Sequence, residues 1–478
     1  MRHFLFLSAL LAAPVLSAAP PNIVFILADD LGYTDLACYG SGYYETPHID
    51  QLASEGLKLT SYHNCQNCQP TRAALMSGQY GARTGVYTVG GIDRFDWQTR
   101  TLRPVENVTK LPLDRQIIAQ RLKAAGYATG MFGKWHLGDD GDYHPGQRGF
   151  DEAIVSAGRH FKFKTQPEVE VPQGAYLADF LTDKAEDFIR RHRDGPFFLY
   201  LPHFGVHSPH EAKEDKIAHF QDKPPVGGHN SPVYAGMIAS VDDSVGRVMA
   251  LLDELKIADN TVLIFSSDNG GVGGYDREGI ATAGNITDNA PLRSGKGSLY
   301  EGGTRVPFIV RWPGVVKPGT TCGAPAIHVD LYPTFLEIAH ASPAKDQPLD
   351  GESLASLFRD PSASLPREGI FQHFPGYLGS GPGYWRTTPV ALVQSGDWKL
   401  MEFMEDQRPE LYNLANDLGE EHNLATENPE KLRELRAKLH AWQQQIHAPM
   451  PTPNTPTAAP AKKGKGKGKK KKGGKRDE

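Results

Sequence analysis

Asn22-Ile-Val-Phe-Ile-Leu-Ala-Asp-Asp, residues 22–30, is a continuous apolar run of strand length that stops at two carboxylates. A strand wetted on one face alternates apolar and polar residues, whereas an unbroken run belongs in a parallel sheet covered on both faces. The pattern returns in Thr261-Val-Leu-Ile-Phe-Ser-Ser-Asp-Asn-Gly-Gly, which ends in Asp and Asn before glycines. Between the two, periodicity predicts a helix over 113–125 ended by Gly126, strands over 128–132 and 197–201, and a helix over 233–255. Alternating strands and helices imply an α/β fold, a mostly parallel sheet sandwiched by helices. Such sheets bind ligands outside the carboxyl ends of their strands, where Asp29, Asp30, Asp268 and Asn269 would meet.

The 478 residues are 39% hydrophobic and 22% charged, enough for a large core and a smaller companion. Residues 1–19 have the form of a secretory signal: Arg2 and His3, an apolar stretch, then Ser17-Ala18-Ala19. The apolar stretch is shorter than the roughly 20 residues of a membrane span. The expectation is an exported protein, periplasmic or extracellular, without a transmembrane anchor. Four cysteines are too few for a disulfide scaffold. Asn107-Val-Thr and Asn285-Ile-Thr are glycosylation sequons. The main domain is expected over 20–349. From residue 350, short strands near 371–375, 390–393, 398–403 and 410–414 precede a helix over 429–446, predicting a small C-terminal α+β subdomain over 350–447. Residues 448–478 have little to bury and read as a disordered linker and a solvated Lys/Gly arm. That arm carries no base-reading pattern, so nucleic acid is not an expected partner.

Cys68-Gln-Pro-Thr-Arg-Ala-Ala-Leu-Met-Ser-Gly sets Pro70 at a helix start and Gly78 just past its end. Cys68 would then stand at a helix N-terminus, where free N–H groups and the dipole favour an anion, with Arg72 adding fixed charge.

With Cys68, Pro70, Thr71, Arg72 and Gly78 in that spacing, the chain resembles the formylglycine sulfatases. Ala28-Asp-Asp, Gly133-Lys-Trp-His-Leu-Gly, Ser267-Asp-Asn-Gly-Gly and Gly295-Lys-Gly extend the resemblance over about 22–446. The resemblance implies an alkaline-phosphatase-like fold and a sulfuric ester hydrolase. It implies that a maturation enzyme oxidises Cys68 to formylglycine, whose hydrate attacks sulfur with one hydroxyl and expels sulfate through the other. Asp29, Asp30, Asp268 and Asn269, with the modified Cys68, would hold Ca²⁺, a hard ion suited to oxygen ligands. Lys134 and Lys296 match the sulfate-binding lysines, Arg72 the arginine that supports the aldehyde, and His136 the base beside the diol. His207, followed two residues later by Pro209, fits the family's acid, with His203 and His210 as rivals.

A sulfated carbohydrate is the substrate that the family's usual duties suggest. The alternatives are a formylglycine-dependent phosphonate monoester or phosphodiester hydrolase, and a catalytically silent sulfated-glycan-binding protein. His63, His160, His328 and His373 read as packing or surface residues, with His160 near enough to line the pocket. Asp242-Asp243 read as decoration on a helix whose buried stripe is Val241, Val245, Val248 and Leu252. Loops 90–108 and 158–173 are where a sugar would be selected.

Overall fold

The computed structural model describes residues 20–280, 284–379 and 384–457. The expected signal, residues 1–19, and the Lys-rich arm lie outside the described residues. No helix among the described residues is long and apolar enough to cross a membrane.

The strand Asn22–Ala28 is buried along its whole length, as its unbroken apolar run requires. Ile23, Phe25 and Leu27 enter one core while Val24, Ile26 and Ala28 enter the other, so a single strand feeds both faces. It pairs in parallel with Phe197–Pro202 on one side and Thr261–Ser267 on the other. Across the eight-stranded sheet the order is Thr320–Cys322, Leu57–Leu59, Phe308–Arg311, Thr261–Ser267, Asn22–Ala28, Phe197–Pro202, Ala128–Gly133, Glu152–Val155. Only Phe308–Arg311 runs antiparallel to its neighbours.

Helices Leu177–His192 and Pro232–Glu254 cover one face, the latter through the expected stripe of Val241, Val245, Val248 and Leu252. The other face packs on Trp135, Phe150 and helix Leu331–Ile338. Beyond it, Ile370–Phe374, Val390–Ser395, Trp398–Phe403 and Pro409–Asn413 form an antiparallel meander. Helix Pro429–Gln445 closes the meander with Leu435, Leu439 and Trp442. The short helix Ala355–Arg359 buries Leu357 and Phe358 in the main core.

Three expectations need correction. The helix predicted over 113–125 begins only at Ile118. Upstream, the Arg148 guanidinium donates to the carbonyls of Leu111, Pro112 and Arg115, doing for them what helical N–H groups would otherwise do. The linker after residue 448 is ordered as far as Thr457, because Thr452–Pro453 pairs antiparallel with Leu102–Arg103 and finds partners for its backbone there.

Asp242 is not a solvated ornament either. Its carboxylate is buried and accepts the N–H groups of His48 and Ile49, capping helix Pro47–Glu55 from a distant segment. Burial pushes its pKa up to about 6, against the pull of those two N–H groups. A carboxyl raised in the folded state adds stability that is complete below its unfolded value near 3.8 and is lost as pH rises through about 6. Asp242→Asn is therefore expected to flatten urea-denaturation stability between pH 4 and pH 7 relative to the parent. Identical pH profiles for the two proteins would exclude this account. Asp243 does face outward and pairs with Lys216.

Candidate active site

Four parallel strands deliver the site at their carboxyl ends. Asp29 and Asp30 follow Asn22–Ala28, Asp268 and Asn269 follow Thr261–Ser267, Lys134 and His136 follow Ala128–Gly133, and His207 follows Phe197–Pro202. Gly133 makes the crossing possible: a Cβ there would stand 1.9 Å from the Pro202 carbonyl oxygen. The same carbonyl accepts the Lys134 N–H at 2.8 Å.

Cys68 opens the fully buried helix Cys68–Ser77, with Asn67 as extended N-cap and Gly78 left-handed at φ 67°. Pro70 is thus its third residue, two places later than the first position expected from sequence, yet its missing N–H still falls among the first-turn groups that have no helical acceptor. Lys296 reaches in from the loop ahead of Glu301–Thr304, its Nζ 3.5 Å from Cys68 Sγ and 2.6 Å from Asp30 Oδ1. Lys134 Nζ pairs with Asp29 Oδ2 at 2.5 Å.

Arg72 is locked from three sides. Its Nε and Nη2 donate to Asp268 Oδ2 at 3.0 and 2.7 Å, and its Nη1 donates to the Lys134 carbonyl at 2.8 Å. Asp268 Oδ1 accepts the Asp30 N–H, and Asn269 Nδ2 donates to Asp30 Oδ1. The backbone at Asp30 and at His136 is left-handed, with φ of 65° and 64°. Such strain in non-glycine residues gathers at functional sites.

Electrostatics separate the carboxylates. Burial would raise Asp29, but Lys134, His207, Arg72 and Lys296 together hold it well below the usual carboxylate range. Asp30 is likewise lowered against burial, chiefly by Lys296 and His207. Burial and the neighbouring Asp29 hold Asp268 above that range despite Arg72. Burial pushes the Cys68 thiol up to about 11 in spite of both lysines, so the unmodified side chain is a neutral thiol and a poor nucleophile. The His136 pKa falls to about 3, through burial first and Lys134 and Arg72 next.

The donor set fits a cation. One ligand atom each from Asp29, Asp30, Cys68 and His207 lie within 4.8 Å of one another. Buried Asp29 Oδ1 and Asn269 Oδ1 accept no hydrogen bond among the described residues, and the nearest Arg72 nitrogen is 3.7 Å from Asp29 Oδ1. Orphaned buried oxygens beside paired carboxylates are the deficit that an oxygen-seeking ion satisfies.

Of the rival histidines, His203 is buried with its Nε2 2.9 Å from Ser244 Oγ and faces the helical layer. His210 is exposed, its ring 6.1 Å from that of Tyr234. His207 is partly exposed and places Nε2 3.6 Å from Asp30 Oδ2.

Three residues outside the expected catalytic and metal sets hold this arrangement, one of them the His160 that the sequence placed near the pocket. His160 donates from Nε2 to the His207 carbonyl at 2.8 Å while stacked between Phe204 and Tyr176. Gln69, inside the Cys68 motif, donates to the carbonyls of His136 and Thr109. Asn289 ties Gly271, Gly273 and Ser294 together beneath Lys296. Position within a recognised motif could have flagged Gln69; Asn289 carries no local signal. His63 and His328 are buried against Glu301 and Cys65, and His373 donates to the Pro449 carbonyl, which are packing roles as expected. The Asn107 amide bonds Thr88 and Gly90 within its loop.

Comparison with known proteins agrees with this geometry. The sulfatase family model matches residues 21–341, and that of the N-sulphoglucosamine sulphohydrolase C-terminal region matches 295–448. The chain is 35% identical to a sulfatase of Formosa agariphila over 93% of this chain and 94% of that one. It is 34% identical to the N-acetylgalactosamine-6-sulfatase of Homo sapiens over 70% of this chain and 65% of that one. Among solved structures, Ps i-CgsB in complex with k-i-k-neocarrahexaose superposes with a TM-score of 0.74 at 30% identity, covering 88% and 92% of the two chains. With its alkaline-phosphatase-like sheet and these relatives, the chain belongs to the sulfatase family and is a sulfatase.

Proposed function

We propose that this sulfatase removes sulfate from sulfated carbohydrates, with Cys68 matured to formylglycine and Ca²⁺ held by Asp29, Asp30, Asp268 and Asn269. The observation that carries it is the meeting of orphaned oxygens, two lysines and Cys68 at one helix N-terminus. The substrate class is supported by relatives named N-acetylgalactosamine-6-sulfatase and N-acetylgalactosamine-6-O-sulfatase and by the complex of Ps i-CgsB with k-i-k-neocarrahexaose. Export is proposed from residues 1–19 alone.

When present, the formylglycine hydrate supplies an oxygen nucleophile and the ion polarises sulfate oxygens. The chain's own residues do the rest. Lys134 and Lys296 flank Cys68 and present ammonium groups to a bound sulfate, where they stabilise the charge that grows in the transition state. Arg72, fixed by Asp268 and the Lys134 carbonyl, holds the helix and the lysine loop in register. His136 stays neutral, and its buried Nδ1 has no partner among the described residues, so it is free to accept a proton from the group at position 68. His207 Nδ1 donates to the Ser208 carbonyl, which leaves Nε2 to give a proton to the departing alcohol.

Chelation is expected to lower sulfate release on the order of 10²-fold, with recovery on adding Ca²⁺. The Cys68 peptide from the native host should carry an aldehyde in place of the thiol. Full activity from protein whose Cys68 is an unmodified thiol would sink the formylglycine assignment. Faster turnover of phosphate diesters than of sulfate esters would favour the diesterase alternative.

A further inference from the structure

We propose that loop 156–165 is a second anion subsite, which binds a sulfate on a neighbouring sugar of the same chain while the scissile sulfate lies between Lys134 and Lys296; the inference rests on the glycan substrate proposed above. Val155 and Gln166 exchange backbone hydrogen bonds of 2.8 and 2.9 Å and close the loop. The Ser156 N–H donates to the carbonyl of Gly133, the residue before Lys134, at 3.0 Å, and the Ser156 hydroxyl donates to the Lys164 carbonyl at 2.8 Å. At the loop's centre His160 holds the His207 carbonyl, and its own carbonyl accepts the Leu177 N–H. The loop is therefore fastened to two of the strand ends that build the site, on the side where His207 is partly exposed.

Its side chains sort by direction. His160 and Phe163 are buried and Phe161 half-buried, with Phe161 edge-on to Tyr176 at 5.0 Å and Phe163 against Phe180 at 5.3 Å. The aromatic anchors leave Arg159, Lys162 and Lys164 exposed between them. None of these three pairs with a carboxylate or donates a side-chain hydrogen bond among the described residues, whereas Lys110, Lys123, Arg190 and Arg191 all pair with acids. The acids that follow, Glu168 and Glu170, fall past the Val155 and Gln166 closure. Lys162 also has left-handed backbone, φ 51°, a conformation that glycine adopts with less strain. The local fold gains nothing from a lysine there, and the ammonium it presents is what remains to account for it.

The charge pattern says which ligand. In a chain with 56 Asp and Glu against 51 Lys and Arg, three unpaired cations within six residues make a local field of the opposite sign beside the sulfate lysines. Arg159 offers a planar fork and the two lysines offer point charges, a set that matches the oxygens of a sulfate. A chain sulfated on successive sugars would engage both places at once, and the second contact would form at raised effective concentration.

The test compares the parent with a triple variant, Arg159→Gln, Lys162→Gln and Lys164→Gln, and with a charge-retaining one, Arg159→Lys, Lys162→Arg and Lys164→Arg. The substituted side chains are exposed and make none of the contacts that fasten the loop. On k-i-k-neocarrahexaose at about 50 mM salt, kcat/KM is expected to fall about tenfold in the Gln variant through KM, to stay within about twofold in the charge-retaining one, and the gap should narrow by about 200 mM. A neocarrabiose with a single sulfate should be turned over equally by all three. Equal loss on both substrates, no loss on the hexasaccharide, or equal loss in both variants overturns the proposal. If no form releases sulfate from any glycan, the proposed function fails and calorimetric binding of the hexasaccharide decides: affinity that falls only in the Gln variant sustains the subsite, and affinity that is absent or unchanged overturns it. Stronger binding to phosphatidylserine vesicles than to the hexasaccharide, lost in the Gln variant at equal salt, overturns the choice of ligand.

Discussion

Cys68→Ala is expected to abolish sulfate release, by at least about 10³-fold, while leaving the fold in place. The thiol is buried, and deleting one heavy atom there costs about 1 kcal/mol, which circular dichroism and urea denaturation will register as a small shift. The catalytic loss is large because nothing nearby can take over. Cys65, three residues upstream, has its Sγ 3.4 Å from His328 Nε2, and burial pushes its own pKa up to about 12. Lys134, Lys296 and the carboxylates would still assemble a sulfate-binding pocket, so the variant should bind substrate and fail to turn it over. Substantial residual turnover would place the nucleophile elsewhere.

Lys399→Met is expected to lower folding stability by about 3–5 kcal/mol. Lys399 is 1% exposed and stands 2.8 Å from both Glu301 and Glu420, themselves fully buried. Glu301 keeps Arg305 and His63 when the lysine goes. Glu420 keeps only the backbone N–H of Glu301 among its described close partners, and a buried charge stranded in this way is costly. Burial already pushes Glu420 up to about 7 against Lys399, and losing the lysine raises it further. A carboxyl raised in the fold favours stability at low pH and withdraws it as pH rises, so the deficit should be greatest above neutrality and shrink on acidification. Urea denaturation across pH 5 to pH 8 measures this, and a deficit below about 1 kcal/mol throughout would show that the cluster is not charged as described. Turnover should fall too, because Lys399 also donates to the Leu299 carbonyl, three residues from Lys296.

Much of the site was legible because strand periodicity and strand endings are local. Asp29, Asp30, Asp268 and Asn269 lie one or two residues past the ends of the strands Asn22–Ala28 and Thr261–Ser267, and topology rules do the rest. The Cys68 helix announced both of its ends. What sequence could not show depends on partners far along the chain. Asp242 looks identical to a solvated helix acid until Pro47–Glu55 arrives 193 residues away to be capped. Arg148 shortened a predicted helix by taking the carbonyls upstream of it. The Lys399 cluster joins three segments whose charges, taken singly, read as surface.

His136 sits in left-handed backbone and buries a ring nitrogen without a partner among the described residues, so the local fold has no use for a side chain there. Such a conformation costs a side chain about 1 kcal/mol or more, and costs glycine little. A gene copy released from selection on turnover would gain stability by losing this imidazole. Decayed paralogues should then show position 136 drifting to Gly or Asn while Trp135, packed in the core beside it, persists. The identity of that one residue would separate working descendants from retired ones before any assay is run.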